Sequence, residues 1–398
     1  METAKPENIS QMNKSAIVRA LKEYGQLSRA DLTRILNMSF PSVSGNIKQL
    51  LENDYIHEIG EAAGKDGLGR RSVLLGFNEK RGYVVGVFFN INSVTASCAD
   101  LLGTPLAVSE KKMDIKKGGE YAYMLIREAI NDVIRQSGIK VDKLESICVG
   151  IPGIYDQATR KNKFVPYLKA WEDVHILERL KEDFIDNIIV ENVVNLGAIG
   201  EKWKGNAQDN QNILYIDYEI GISTGIIING KLYRGATGLA GEVGYMVIEP
   251  SQLTKKFSDE GALEEIISGI ALSDYYEKIS GKQIGHFTTP TISQLIDLCK
   301  NGDMVAERAV NEIVEYLSNM IVNAVVVLNP ELVVLSGGNG TLIGQHYLDR
   351  IIQLVGNHVP YVPEIKLSKF IGSQAGLYGA LYTALINAAS NIDIQQYD

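Results

Sequence analysis

The stretch from Ser39 to Lys48 is the first place where this sequence could do chemistry. Val43, Ile47, Leu50 and Leu51 fall on one side of a short amphipathic helix, and Ser42, Ser44, Gly45, Asn46 and Lys48 are read as facing out. Hydroxyls and amides on so small a face can reach base edges in a major groove without a bulky obstruction. Gly45 costs about 1 kcal/mol against Ala inside a helix, and close backbone approach to DNA is one reason to keep it. A second place is Gly69-Arg70-Arg71, which ends the glycine-rich stretch 60–71. Arginines on such a flexible tip can lie along phosphates or enter a minor groove.

The flanking sequence supplies the elements that would position these groups. Residues 13–24 place Ile17, Leu21 and Tyr24 at helical spacing, and Gly25 stops that helix. Ser28 and Asp31 form a capping-box pattern ahead of Leu32, Ile35 and Leu36. After the break Asn37-Met38-Ser39, Ser39 is an N-cap and Pro41 sits in the first turn of a third helix that runs to about Glu52. Three short helices with this turn read as a helix-turn-helix. Tyr55–Ile59 and Ser72–Leu75 are two strand-like runs that add a hairpin wing. The candidate contacts to double-stranded DNA are Arg29, Ser39, Pro41, Ser42, Ser44, Asn46, Lys48, Arg70 and Arg71. Ser42, Ser44, Asn46 and Lys48 would carry sequence preference, and the two arginines salt-dependent affinity.

The charge distribution agrees with DNA contact confined to this head. The chain has 398 residues and a formal charge of −9. Residues 1–75 hold ten Lys/Arg and nine Asp/Glu, so the head is +1 and the remainder −10. With 45% hydrophobic and 22% charged residues, collagen-like and wholly disordered chains are excluded. Cys98, Cys148 and Cys299 are scattered, and the five histidines show no metal-ligand spacing, so neither a disulfide framework nor a metal site is expected. No uninterrupted apolar run reaches the ~18 residues of a membrane span. The N-terminus lacks a signal pattern, so a cytoplasmic protein without membrane contact is expected.

From about Arg81 strands alternate with helices. Strands are expected at Tyr83–Phe89, Ser93–Cys98, Ser146–Ile151, Ile188–Glu191, Ile213–Ile216, Gly225–Ile228 and Leu332–Leu335. Helices are expected at Tyr121–Ser137, Leu177–Phe184, Met304–Leu328 and Gly376–Ala389. Strand pairs with tight turns recur at 83–100 and 213–231, which suggests two related α/β lobes with a ligand cleft between them. Glycine-rich turns at 150–153, 235–245 and 336–340 adjoin strands, where backbone can approach a ligand.

Taken in order, these segments resemble the ROK proteins (repressor, open reading frame, kinase), and within them the repressor branch related to xylose and N-acetylglucosamine repressors. The likeness spans about residues 12–390. It rests on 27–44 with Gly69-Arg70-Arg71, on Asn229-Gly230-Lys231-Leu232-Tyr233-Arg234-Gly235 with Gly241-Glu242-Val243-Gly244, and on Ala375-Gly376-Leu377-Tyr378-Gly379-Ala380. It implies an α/β, two-lobed, actin-like (RNase H-like) sugar-kinase fold behind the winged helix-turn-helix. The implied domains are 1–78, a first lobe 79–200 rejoined by a C-terminal helix 376–398, and a second lobe 201–375 with the effector cleft and dimerisation surface.

The departures from the family pattern bear on chemistry. Phe88-Phe89-Asn90-Ile91-Asn92 stands where ROK kinases carry Asp-x-Gly-x-Thr, and Glu219 opens the second phosphate loop, where it would repel triphosphate. The family's catalytic aspartate is Val193, which cannot accept a proton from a sugar hydroxyl. The family's zinc-binding histidine is Tyr245, and 256–264 contains no cysteine. No catalytic residue, metal or cofactor is therefore expected. Gly153, Asn192, Glu242, Tyr245 and Glu264 are the effector-site candidates that the resemblance implies. Exchange of Asp and His for Val and Tyr implies a less polar pocket, suited to a sugar with fewer hydroxyls or with an acyl or deoxy substituent.

The leading expectation is a repressor of carbohydrate-use genes that binds a pseudo-palindromic operator as a homodimer or homotetramer and is controlled by a sugar or sugar derivative. The alternative is an active ATP-dependent ROK sugar kinase with an attached DNA-binding head. Control by a protein partner in place of a sugar is a third.

Overall fold

The computed structural model describes residues 6–61, 72–156, 159–163, 168, 170–219, 221–254, 261–281 and 291–391. Arg70 and Arg71 lie outside the described residues.

The head consists of α1 (Pro6–Tyr24), β1 (Leu27–Ser28), α2 (Arg29–Leu36), α3 (Phe40–Glu52), β2 (Ile56–Glu61) and β3 (Val73–Phe77). Its local signals act as read. Ser28 Oγ accepts from the Asp31 N–H at 3.2 Å, and Asp31 accepts from the Ser28 N–H at 3.1 Å, which closes the capping box. Asn37 ends α2 in the left-handed region at φ 52°. Ser39 caps α3, and Pro41 lies in its first turn. β2 and β3 pair antiparallel as the wing, and β1 adds to the far side of β3.

Three expectations about the head need correction. α1 begins at Pro6 rather than at residue 13. Tyr24 and Ile35 are exposed rather than inward, since Ile35 lies about 60° round the helix from Leu32. Asn46 is buried, not outward.

The body has two mixed sheets. The first takes β4 (Tyr83–Phe89), β5 (Ser93–Asp100), β6 (Pro105–Lys112), then α4 (Gly118–Ser137) and β7 (Leu144–Ile151). A small hairpin follows, β8 (Ile154–Asp156) and β9 (Lys161–Lys163), then α5 (Ile176–Asp183), β10 (Ile188–Asn192) and α6 (Val193–Lys204). The second sheet takes β11 (Ile213–Tyr218), β12 (Ile222–Ile228) and β13 (Lys231–Leu232). The helices α7 (Glu264–Ile267), α8 (Gly269–Ser280), α9 (Thr291–Lys300) and α10 (Met304–Leu328) precede β14 (Leu332–Ser336), α11 (Gly338–Gly356) and β15 (Glu364–Leu367). α12 (Gln374–Asn391) then returns to the first sheet.

The strand orders are β10-β7-β4-β5-β6 and β13-β12-β11-β14-β15. Ranked by chain position within each sheet, both run 3-2-1-4-5. In each, an antiparallel three-strand meander is extended by two parallel strands. The two lobes expected from the repeated strand pairs are thus copies of one plan.

α6 and α12 pack together where glycine permits close approach. A Cβ on Gly200 would sit 1.9 Å from the Ala375 carbonyl oxygen, and one on Gly379 would sit 1.9 Å from that of Leu196. α10 has the length and hydropathy of a membrane span, but Val310, Ile313, Val314, Leu317 and Ile321 are buried in the core over the second sheet. The head is docked on the body: Ile17, Leu21, Leu75 and Phe77 share one apolar cluster with Val84, Leu101, Leu381 and Ala388.

Candidate DNA-reading face and effector cleft

α3 presents Phe40, Pro41, Gly45, Lys48 and Gln49 to solvent, with Ser44 half-buried. Ser39 is exposed, and its hydroxyl is committed to capping through the Ser42 N–H at 3.4 Å. Lys48 lies 3.9 Å from Glu52 one turn on, a loose surface pair that costs little to break. Of the residues read as facing out, Gly45 and Lys48 are exposed and Ser42 and Ser44 half-buried, and the exposed Phe40 ring makes the face less polar than the sequence suggested.

Two of the candidate base contacts are held from beneath by α1. The Asn46 side chain donates to the Ser42 carbonyl at 2.8 Å and accepts from the Ser10 hydroxyl at 3.0 Å. Asn13 donates to the Ser42 hydroxyl at 3.2 Å. The extra N-terminal turns of α1 therefore turn the Asn46 side of α3 into an inter-helix seam. Arg29 faces the wing, with its guanidinium 3.4 Å from Glu58 on β2.

A clamp fixes this head to the first sheet. Arg81 stacks 4.1 Å over the Tyr55 ring, donates to the Asn53 carbonyl at 3.2 Å and pairs with Glu145 at 3.0 Å. Lys22 lies 4.4 Å over the Phe77 ring. Burial lowers its pKa, opposed by the Asp100 carboxylate nearby.

In the body the candidates fall in two adjoining groups. Asn192 ends β10 and caps α6: its Oδ1 accepts from the Val194 N–H at 2.7 Å and the Asn195 N–H at 3.2 Å. Its Nδ2 donates to the Gly153 carbonyl at 2.7 Å, so the structure brings these two candidates together. Gly153 holds φ +73°, a turn that suits glycine.

The second group is Glu242, Tyr245 and Glu264. Val243–Tyr245 form a single helical turn, and Glu264 opens α7. Glu264 accepts from the Ile222 N–H at 3.2 Å and the Gly261 N–H at 3.4 Å, and it packs so close to Gly244 that a Cβ there would meet its carboxyl carbon at 2.8 Å. Burial, and then the neighbouring Glu264 charge, pushes the Glu242 carboxyl up to about 7. The groups meet through β12. The Val194 carbonyl lies 2.9 Å from where a Cβ on Gly225 would stand, and Thr224 beside it bonds the Gly241 carbonyl through its N–H at 2.8 Å.

Sequence reasoning missed two residues here. Glu191 is buried, and one of its oxygens accepts from Asn195 Nδ2 and the Asn192 N–H, both at 2.9 Å. Its other oxygen takes both Nε and Nη2 of Arg234, at 2.9 and 2.7 Å. Arg234 follows β13, so this ion pair joins the two sheets beside the cleft. Glu191 directly precedes Asn192, but a glutamate carries no local signal of burial, and its partner is 43 residues away.

At the other end of the cleft, the Glu219 carboxylate accepts from the Gly338 N–H at the start of α11, and Asn339 donates to the Glu219 carbonyl. A carboxylate there occupies the anion-favouring end of the helix. Asp217 lies beside it, and burial plus the Glu219 charge pushes its carboxyl up to about 7. Phe88 packs its ring edge against Gly376 on α12, so close that a Cβ there would sit 1.9 Å from Cε2. Among the described residues no group of three or more His, Cys, Asp or Glu could hold a metal ion. Residues 255–260, in the segment aligned with the family's cysteines, lie outside the described residues.

Residues 106–386 match the ROK family. The chain belongs to that family. The xylose repressor of Caldicellulosiruptor bescii is 26% identical over 357 residues, covering 87% of this chain and 88% of that one. Among solved structures, a ROK family transcriptional regulator, a homologue of the Escherichia coli MLC protein, aligns with a TM-score of 0.76 at 19% identity over 97% of this chain and 99% of its own. That likeness establishes the ROK fold for head and body together. The ROK hexokinase of Thermus thermophilus aligns over 77% of this chain and 99% of its own, with a TM-score of 0.67 and 25% identity.

Proposed function

We propose that this ROK protein is a sugar-responsive, DNA-binding transcriptional repressor of carbohydrate-use genes. The observation that carries the reading is a winged helix-turn-helix docked on a ROK body whose α6 begins with Val193, where a sugar kinase needs a proton acceptor. Glu219 at the start of α11 and Phe88 against Gly376 support the same reading, since both disfavour a bound triphosphate.

Two copies would present two α3 helices to half-sites about 34–36 Å apart, or a multiple of that, in a pseudo-palindromic operator. The effector would lie near Gly153, Asn192, Glu242, Tyr245 and Glu264, with Val193 and Tyr245 favouring a sugar that carries fewer hydroxyls or an acyl or deoxy group. It would act by binding one arrangement of the lobes more tightly than the other.

The test is selection of genomic DNA fragments on the full-length protein, footprinting of the recovered site, and titration of its complex with a sugar panel. A discrete protected palindrome whose occupancy changes with one sugar supports the reading. Turnover of ATP with a sugar in a coupled assay, without selective DNA binding, replaces it with the kinase alternative.

A further inference from the structure

α4 covers one face of the β5–β6 hairpin, whereas α12 covers only part of the other. The uncovered part forms a pocket of about 490 Å³ against the first turns of α12. That volume lies within the usual range for small-molecule sites. It is built from the first sheet and the segment that re-enters it. It contains none of the effector candidates Gly153, Asn192, Glu242, Tyr245 and Glu264, and it reaches Asn90 of the segment 88–92 that stands where ROK kinases carry their first phosphate loop.

Its lining has a definite chemical character. Ser93, Thr95 and Ser97 alternate along β5, so their hydroxyls share one face, and they are 8, 5 and 1% exposed. In register beside them on β6 stand Glu110, opposite Thr95, and Val108, opposite Ser97. Across the pocket lie Ser373 and Gln374, with Leu377 and Leu381. Thr95 and Ser373 hydroxyls face each other at 3.5 Å, too far apart to satisfy each other well. Among the described residues that line the pocket, Glu110 is the only charged one and none is Lys, Arg or His. An anionic ligand such as a sugar phosphate or nucleotide would find no cation and one repelling carboxylate. A neutral polyhydroxylated ring fits. The Ser97 hydroxyl already donates to the Ala107 carbonyl at 3.1 Å and that of Ser93 to Asn90 Oδ1 at 3.4 Å, so these two offer only acceptor capacity, whereas Thr95 and Ser373 can donate and accept. A carboxylate accepts from vicinal hydroxyls, and Val108, Leu377 and Leu381 can cover the ring's C–H face.

We propose that this pocket is a second ligand site, specific for a neutral mono- or disaccharide and separate from the interlobe cleft. Its position gives such a ligand leverage. Ile371, Gly372 and Ser373 belong to the crossover from β15 of the second sheet to α12 on the first. A saccharide seated here touches both the hairpin and the crossover, so its affinity depends on how the lobes are set, and lobe setting depends on it in turn.

The test is titration calorimetry of the full-length protein with neutral mono- and disaccharides, free of phosphate esters. Val108→Arg blocks the pocket from its exposed rim. Thr95→Val removes one hydroxyl at nearly constant shape and provides a second variant should the arginine disturb folding. Glu242→Gln perturbs the cleft directly and can reach the pocket only through the setting of the lobes. The expected result is at least one neutral sugar whose affinity falls about tenfold or more in both pocket variants and changes several-fold less in Glu242→Gln. Absence of any neutral-sugar binding to the wild type overturns the site. So does binding that both pocket variants leave intact. Loss in Glu242→Gln alone assigns the sugar to the cleft, which overturns the second site and leaves the proposed effector reading standing.

Discussion

Arg234 reaches from the second sheet to grip Glu191 at the end of the first, with two nitrogens on one carboxylate oxygen at 2.9 and 2.7 Å. The Glu191 side chain is only 9% exposed, whereas that of Arg234 is 50% exposed. The pair is therefore asymmetric. Removing the arginine strands a buried acid, and removing the acid frees an arginine that water can still solvate. Arg234→Ala should cost about 1–3 kcal/mol of stability, below the range for a fully buried pair because the guanidinium is half-solvated. Adding Glu191→Gln to it should recover part of that loss. Urea denaturation of the single and double variants measures the coupling, and additivity would refute it.

That ion pair also bears on control. It links the lobes next to Asn192 and Val193, so it must adjust when the lobes change their setting. Arg234→Ala should shift sugar affinity or its effect on DNA by about 5-fold or more, even though the side chain need not touch the sugar. Effector titration of the protein–DNA complex reads this directly. Unchanged half-saturation in a folded variant would remove Arg234 from the switch.

Asp217 and Glu242 should give the body a pH-dependent stability. Burial pushes both carboxyls up to about 7, aided by Glu219 in one case and Glu264 in the other. An unfolded carboxyl titrates near ~4, so between ~4 and ~7 the native protein holds protons that the unfolded chain has released. The stabilising contribution is complete below the unfolded value and is lost as pH rises through about 7. Glu242→Gln, which mimics the protonated acid, should narrow the gap between melting temperatures measured near ~5 and ~8. An unchanged gap would mean that Glu242 is charged throughout.

What could be read from the sequence was local. The capping box Ser28–Asp31, the cap at Ser39 with Pro41 behind it, and the apolar strands β4, β7, β11 and β14 all declare themselves within a few residues. The edge strand β6 and the edge strand β15 did not, because a strand exposed along one side reads as polar alternation with charges. Asn46 was misread because the partner that buries it, Ser10, is 36 residues away. Glu191 and Arg234 are 43 apart, and neither carries a local signal of the other. Side-chain commitments across lobes arise only once both sheets are folded, and they decide which polar residues near the cleft remain available to a ligand.

The head should move with the body through Arg81. Its guanidinium contacts Tyr55 and Asn53 in the head and Glu145 in the first sheet. Arg81→Ala should weaken head docking by about 1–2 kcal/mol, since it removes both a largely buried ion pair and a stacked cation. Hydrogen exchange should then speed up in α1 and the wing more than in β4 or β7. Equal acceleration throughout would make Arg81 a residue of global stability only.

On the proposed DNA face, the structure separates exposed side chains from those that hold α3 in place. Lys48 is exposed and loosely paired, so Lys48→Ala should weaken binding to specific and random DNA alike and reduce the salt slope by about 1. Ser44 and Gln49 lie beside it on α3 with side chains free to approach base edges, so substitutions there should change preference at one or two base pairs by about 1–3 kcal/mol each. Asn46 should behave differently. It spans Ser42 and Ser10, so Asn46→Ala should lower the melting temperature of the head and reduce all DNA binding together, with relative preference among sites preserved. A binding-site selection on the variants, set beside their melting curves, separates these cases. Altered base preference in Asn46→Ala at unchanged stability would place Asn46 in the groove and require α1 to release it on DNA.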